Sequence, residues 1–155
     1  MEFQIQIEII DSWAFHAREL YQTLRKEDTQ EAIRSGLEPE KAILYSYRSA
    51  LYRKTALING DVAAMWGVCG TPLSMIGQPY LITGELVHKV SPIKFTRIYT
   101  QEVQVMKGLF PSLINYVDAE YTGAVRLLRI AGFDLEGPMM LNGNEFYRFS
   151  MTGEN

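Results

Sequence analysis

The chain has 155 residues, with 15 lysines and arginines against 18 aspartates and glutamates, a formal charge of −3. Apolar residues make up 47% and charged residues 21%, ordinary globular usage that excludes intrinsic disorder and supplies a core for a single domain over 1–155. No apolar run approaches the roughly 18 residues of a membrane-spanning helix, and one cysteine, Cys69, excludes an internal disulfide or a cysteine-based zinc framework.

The start of the chain, Met1 to Ile5, lacks the basic flank and apolar stretch of a secretory leader. With a lone cysteine, the expected compartment is a reducing cytoplasm. The cations are scattered, so charge gives no support for a nucleic-acid partner.

Residues 2–9 alternate, with Phe3, Ile5, Ile7 and Ile9 on one side, the pattern of a half-buried strand. Asp11 and Ser12 can cap a helix whose stripe is Trp13, Ala17, Leu20 and Leu24. The polar stretch 25–29 loosens that pattern, and residues 28–35 fit a short helix ending at Gly36. Pro39 suits the first turn of a helix carrying Ile43, Tyr47, Ala50 and Leu51. Asn59-Gly60 between two apolar runs predicts a tight hairpin joining strands near 54–58 and 61–68. A loop over 70–77 and a short buried strand over 79–83 follow.

The stripe Phe95, Ile98, Glu102, Val105 and Leu109 predicts a long helix over 92–108. A strand over 113–118, a helix marked by Ala124, Leu127, Leu128 and Ala131, and two strands near 133–141 and 145–151 complete the chain. The order β-α-α-β-β-β-α-β-α-β-β, with the short helix at 28–35, predicts an α/β (α+β) domain. Its mixed sheet carries helices on both faces.

This succession resembles the GNAT fold of N-acetyltransferases. The local match is best at 113–133, where Ala124, Leu127, Gly132 and Phe133 fit the family's Asn-x-x-Ala-x-x-Leu-Tyr-x-x-x-Gly-Phe spacing. Over 36–151 the chain is similar, more narrowly, to the internal-virion-protein-A-like family of T7-like podoviruses. That similarity rests on Gly36-Leu37-Glu38-Pro39, Tyr80-Leu81-Ile82-Thr83 and Asn115-Tyr116-Val117. The resemblance implies a mostly antiparallel sheet and acetyl-CoA held between the strands at 79–83 and 113–118. Leu81, Ile82, Thr83 and Tyr116 would be its neighbours.

Two departures stand against that activity. The family's phosphate loop, Gln/Arg-x-x-Gly-x-Gly/Ala at a helix start, is replaced by Gly84-Glu85-Leu86-Val87-His88-Lys89-Val90-Ser91-Pro92-Ile93-Lys94. Lys89 and Lys94 remain there as point charges without a backbone cradle. The family's asparagine and tyrosine in the later helix are replaced by Tyr121 and Leu128, and leucine cannot protonate a leaving thiolate. A hydroxyl could come instead from Tyr121 or Tyr116.

Glu85, at the end of a central strand, is the candidate base for a substrate amine. Its alternative is a carboxylate facing a helix dipole. His88 reads as an exposed histidine, His16 as a satisfied, partly buried one, and Cys69 as a structural thiol. Asp118 and Glu120 read as a solvated turn or a helix cap. No residue spacing suggests a metal site. The expectation is a phage-encoded protein with a degraded catalytic apparatus, acting on a phage or host protein partner. It would reside in the host cytoplasm or the virion, as a monomer or homo-oligomer. The alternative is an active acetyl-CoA-dependent N-acyltransferase.

Overall fold

The computed structural model describes residues 4–152. In chain order the elements are β1 (Ile7–Asp11), α1 (Ala14–Gln22), α2 (Lys26–Arg34), α3 (Pro39–Ser49), β2 (Ala50–Ile58), β3 (Asp61–Cys69) and β4 (Ile76–Thr83). A 3-10 turn (Glu85–Lys89) leads to α4 (Pro92–Lys107), β5 (Ser112–Asp118), α5 (Thr122–Ile130), β6 (Asp134–Leu141) and β7 (Asn144–Thr152). These strands form a seven-stranded sheet in the order β1-β2-β3-β4-β5-β7-β6. Neighbours are antiparallel except β4 and β5, which are parallel.

Turn chemistry fixes the two tight hairpins, β2–β3 and β6–β7. Asn59 and Gly60 take φ of 50° and 87°, the positive pair that the β2–β3 turn requires. Asn142 and Gly143 repeat this between β6 and β7, at 52° and 76°.

β3 is the centre of the core. From Val62 to Cys69 every residue is buried, because helices cover both faces. On one face Ala17 and Leu20 of α1 and Ile43 of α3 pack on Val62 and Met65. On the other, Tyr99, Val103 and Met106 of α4 and Leu128 of α5 pack against Trp66, Val68, Leu113 and Val117. The rings of Trp66 and Tyr99 meet edge to face, with centroids 6.4 Å apart.

The first strand departs from its sequence pattern. Phe3 lies outside the described residues, the strand begins only at Ile7, and Ile5 and Ile9 are exposed. β1 is a sheet edge, and Ile7 is its link to the core, packing with Ile58, Ala63 and Val90. Alternation there meets no helix layer to turn it into burial. His16 is buried and satisfied, its Nδ1 accepting the Trp13 N–H at 2.9 Å and lying 3.0 Å from the Thr55 hydroxyl.

β2 and β3 approach closely at Gly67. A Cβ there would lie 2.1 Å from the Tyr52 carbonyl oxygen, a backbone atom that cannot swing aside. Gly67→Ala is expected to cost about 1–3 kcal/mol, the range for overpacking. Urea denaturation, read as a lower midpoint at unchanged slope, checks it.

Candidate functional site

β4 and β5 begin as partners and then part. Their ladder is confined to Ile76 opposite Ser112 and Gly77 opposite Leu113. Above it the strands are linked by the Asn115 side-chain amide, which donates to the Pro79 carbonyl at 2.8 Å.

The backbone of β4 dictates what faces the gap. The Pro79 carbonyl turns toward β5, and so does the Thr83 N–H, which donates to Asp28 Oδ1 at 3.1 Å. The Gly84 N–H, one residue on, turns to β3 and donates to the Ala63 carbonyl at 2.8 Å. Strand alternation therefore puts the Leu81 N–H on the β5 side as well. Pro79 has no N–H to offer, and that of Thr83 is bonded. Leu81 is left with a donor turned toward the gap, beyond the end of the β4–β5 ladder.

The far end of the gap is closed by α2 and the segment leading into it. The Arg25 N–H donates to the Thr83 carbonyl at 3.1 Å and the Glu85 N–H to the Thr23 carbonyl at 2.8 Å, so residues 23–25 take the edge of β4 that β5 has left. From α2, Asp28 holds β4: its Oδ2 accepts from the Thr83 hydroxyl at 2.6 Å and the Tyr121 hydroxyl at 2.9 Å. One turn later the same helix holds β5. Glu31 Oε2 accepts the Asp118 N–H at 2.9 Å, and Arg34 Nε donates to Asp118 Oδ2 at 2.6 Å. Six residues of helix rise about 9 Å, roughly twice the 4.8 Å between paired strands. α2 thus matches strands separated by a gap one strand wide.

The gap opens into a cavity of about 680 Å³ that extends between the two helix layers. Toward α2 and α3 its wall includes Asp28, Glu31, Ser35, Ser46, Tyr80 and Ile82. Toward α4 and α5 it includes Val87, Phe95, Tyr99, Ala124 and Leu127. Burial raises the pKa of Asp28 above the ordinary carboxylate range, opposed by its bonds to Thr83 and Tyr121 and by Arg25. Burial likewise pushes Glu31 up to about 7, opposed by the Asp118 N–H and reinforced by the charges of Asp28 and Asp118. Tyr121 is raised by burial first and by Asp28 second.

Of the residues singled out in the sequence, Leu81, Ile82, Thr83, Tyr116 and Tyr121 lie together on this wall. Glu85, Lys89 and Lys94 are exposed and off it. The 3-10 turn, anchored by the Glu85 N–H on Thr23, leaves the Glu85 carboxylate in solvent 3.8 Å from His88 Nε2. Asp118 is buried and ion-paired, not a solvated turn. Cys69 is buried, and burial pushes its thiol up to about 11, the state of an unreactive group. Asp28, Glu31, Arg25 and Arg34 escaped the sequence reading. Their signal was the shared face of Asp28, Glu31 and Ala32 at helical spacing.

The start of α4 is capped by its own residue Ser91. The Ser91 hydroxyl accepts the Lys94 N–H at 3.2 Å, the Ser91 carbonyl accepts the Phe95 N–H at 3.0 Å, and Pro92 brings no N–H. Among the described residues no group of three or more histidine, cysteine or acidic side chains could hold a metal ion.

No family model matches the sequence, and no curated protein is similar to it in sequence. Solved structures are similar in fold. A spermidine N-acetyltransferase from Vibrio cholerae, in complex with CoA and spermine, is 14% identical with a TM-score of 0.68, over 96% of each chain. A GNAT-family acetyltransferase from Streptococcus pneumoniae is 14% identical with a TM-score of 0.64, over 95% of this chain and 99% of that one. An aminoglycoside acetyltransferase in complex with coenzyme A is 12% identical with a TM-score of 0.66, over 95% of both. The chain has the GNAT acetyltransferase fold, as the order of its elements predicted, and at these identities the likeness is one of fold.

Asp28 is the acceptor for three donors, the Thr83 N–H, the Thr83 hydroxyl and the Tyr121 hydroxyl. Asp28→Ala leaves them unpaired and is expected to cost about 3 kcal/mol or more, at roughly 1–3 kcal/mol per buried orphan. Tyr121→Phe removes the bond to Asp28 and the longer contacts with Arg25 and Thr83, leaves Asp28 its two Thr83 donors, and is expected to cost about 1–2 kcal/mol. Chemical denaturation of both variants checks the order.

Proposed function

We propose that the protein is an acyl-CoA-dependent N-acyltransferase. The observation that carries this reading is the parting of β4 from β5, which turns the Leu81 N–H toward a one-strand-wide gap that opens into a cavity of about 680 Å³. A cavity of this size falls in the range of small-molecule sites, about 300–1,000 Å³. The coenzyme A in two of the similar structures gives the reading its donor.

An acyl-CoA, when bound, supplies its acyl group as a thioester. The residues present fit the thioester and its amide-bearing arm. Leu81 offers a fixed backbone donor to the thioester oxygen, where charge develops during transfer, and such donors cost no reorganisation at that moment. Asn115 and Tyr116 offer polar contacts along β5, and Phe95, Ala124 and Leu127 an apolar wall. Ile82 and Thr83 complete the β4 side. For the phosphates the α4 start offers Lys89 and Lys94 as point charges, its Lys94 and Phe95 N–H groups being bonded to Ser91. Glu85 stands in solvent and has no part in this reading.

That last feature favours a second reading, a phage accessory or virion-associated protein that keeps the fold and acts through protein contacts. Its support is the α4 start without a glycine cradle, the Leu128 substitution and the narrower sequence resemblance.

Isothermal titration with acetyl-CoA and with free CoA separates the two. The acyltransferase reading expects saturable binding with a Kd between ~1 μM and ~1 mM, the usual range for enzyme substrates. No heat up to about 1 mM ligand, from protein that melts cooperatively, would overturn it in favour of the second.

A further inference from the structure

We propose that the part of the cavity between β4 and α3 houses a straight acyl chain longer than acetyl, so that the donor is a short-chain fatty acyl-CoA. The inference rests on the acyltransferase reading and names its donor more closely. In that reading the thioester oxygen sits at the Leu81 N–H, and the amide-bearing arm lies along Phe95, Ala124 and Leu127, on the α4 and α5 side. Acyl carbons beyond the thioester then point through the gap, toward the other face of the sheet.

The cavity continues on that face, and its wall there divides into a polar end and an apolar end. The polar side chains gather where β4 and β5 terminate. Asp28 and Tyr121 meet at Thr83, and Glu31 and Arg34 meet at Asp118. Back along β4 the lining changes. Ile82 and Tyr80 contribute from the strand, and Ala32, Pro39, Ala42 and Ile43 from α2 and α3. The Tyr80 hydroxyl is turned toward β3, since a Cβ on Gly67 would lie 2.9 Å from its oxygen. That leaves the Tyr80 ring to the cavity. The Ser35 hydroxyl donates to the Ala32 carbonyl at 2.8 Å, and Ser46 is the polar exception.

This stretch fits a carbon chain on two counts. Ile43 and Ile82 pack in one apolar cluster with Leu20 and Met65, so a chain laid against them extends that core. The helix residues opposite, Ala32 and Ala42, are small and leave the chain its width. A polar group there would give up water with little in return. Each methylene buried there strengthens binding about fourfold.

The test is calorimetric titration of the full chain with acetyl-CoA and with hexanoyl-CoA, which carries four more methylenes. Burial of only two of them should make hexanoyl-CoA bind about fifteenfold more tightly than acetyl-CoA. Ala42→Phe puts a ring in the proposed path and should bring the ratio of the two Kd values to within about threefold. Ala32→Leu narrows the same path from α2 and takes its place if the first variant does not melt cooperatively. Equal affinities in the wild type, or a hexanoyl advantage that persists undiminished in the folded variant, would overturn the proposal. Acetyl-CoA binding without a hexanoyl advantage would leave the acyltransferase reading standing and remove only this inference. Binding of neither thioester would overturn that reading, and this inference with it.

Discussion

The structure depends on one constraint: two strands of a continuous sheet must stay apart. A parted pair exposes backbone donors and acceptors that would otherwise close the ladder, and unpaired buried groups are costly. The chain meets that cost selectively. Residues 23–25 and Asp28 take up the end of β4, while Glu31 and Arg34 take up the end of β5. Asn115 takes the Pro79 carbonyl and Pro79 itself has no donor. The Leu81 N–H and carbonyl face the gap beyond the end of the ladder, in the part where the cavity lies.

This arrangement places α2 under two demands at once. It is a structural bridge between β4 and β5, and its inner face is a cavity wall. The bridge calls for acceptors, because it meets backbone N–H groups and hydroxyls, and acidic side chains satisfy it. Those same acids are enclosed, which raises both carboxyls, Glu31 to about 7.

Much of the fold was legible because local chemistry and burial agreed. Asn59-Gly60 demanded a tight turn, and β3 read as a continuous apolar run because both its faces are buried. The helix predicted over 92–108 formed, but it covers the sheet with Tyr99, Val103 and Met106, while Val105 and Leu109 of the predicted stripe are exposed. The pattern failed where local signal and tertiary position disagreed. β1 alternates well but lies at the sheet edge, so Ile5 and Ile9 are exposed. β4 begins at Ile76, three residues earlier than the sequence suggested, with Gly77 and Pro79 obscuring its period. The site was half legible. Leu81, Ile82, Thr83, Tyr116 and Tyr121 lie on the wall because β4 and β5 are where the order of elements put them. Glu85 was judged by its closeness to a strand end, which says nothing about the 3-10 turn that leaves it in solvent. α2 could not be read by hydrophobicity, since it buries Asp28 and exposes Ile33. Its partners, 55 to 93 residues away in sequence, are visible only after folding.

The most direct test of the central claim is amide hydrogen exchange at single residues of β4. In this account the N–H groups of Tyr80 and Ile82 bond to β3 and exchange slowly. That of Leu81, between them, has no partner and exchanges much faster despite its central position. Acetyl-CoA should then slow Leu81 selectively. Equal protection of all three in the free protein would mean that the gap is closed and would contradict the account.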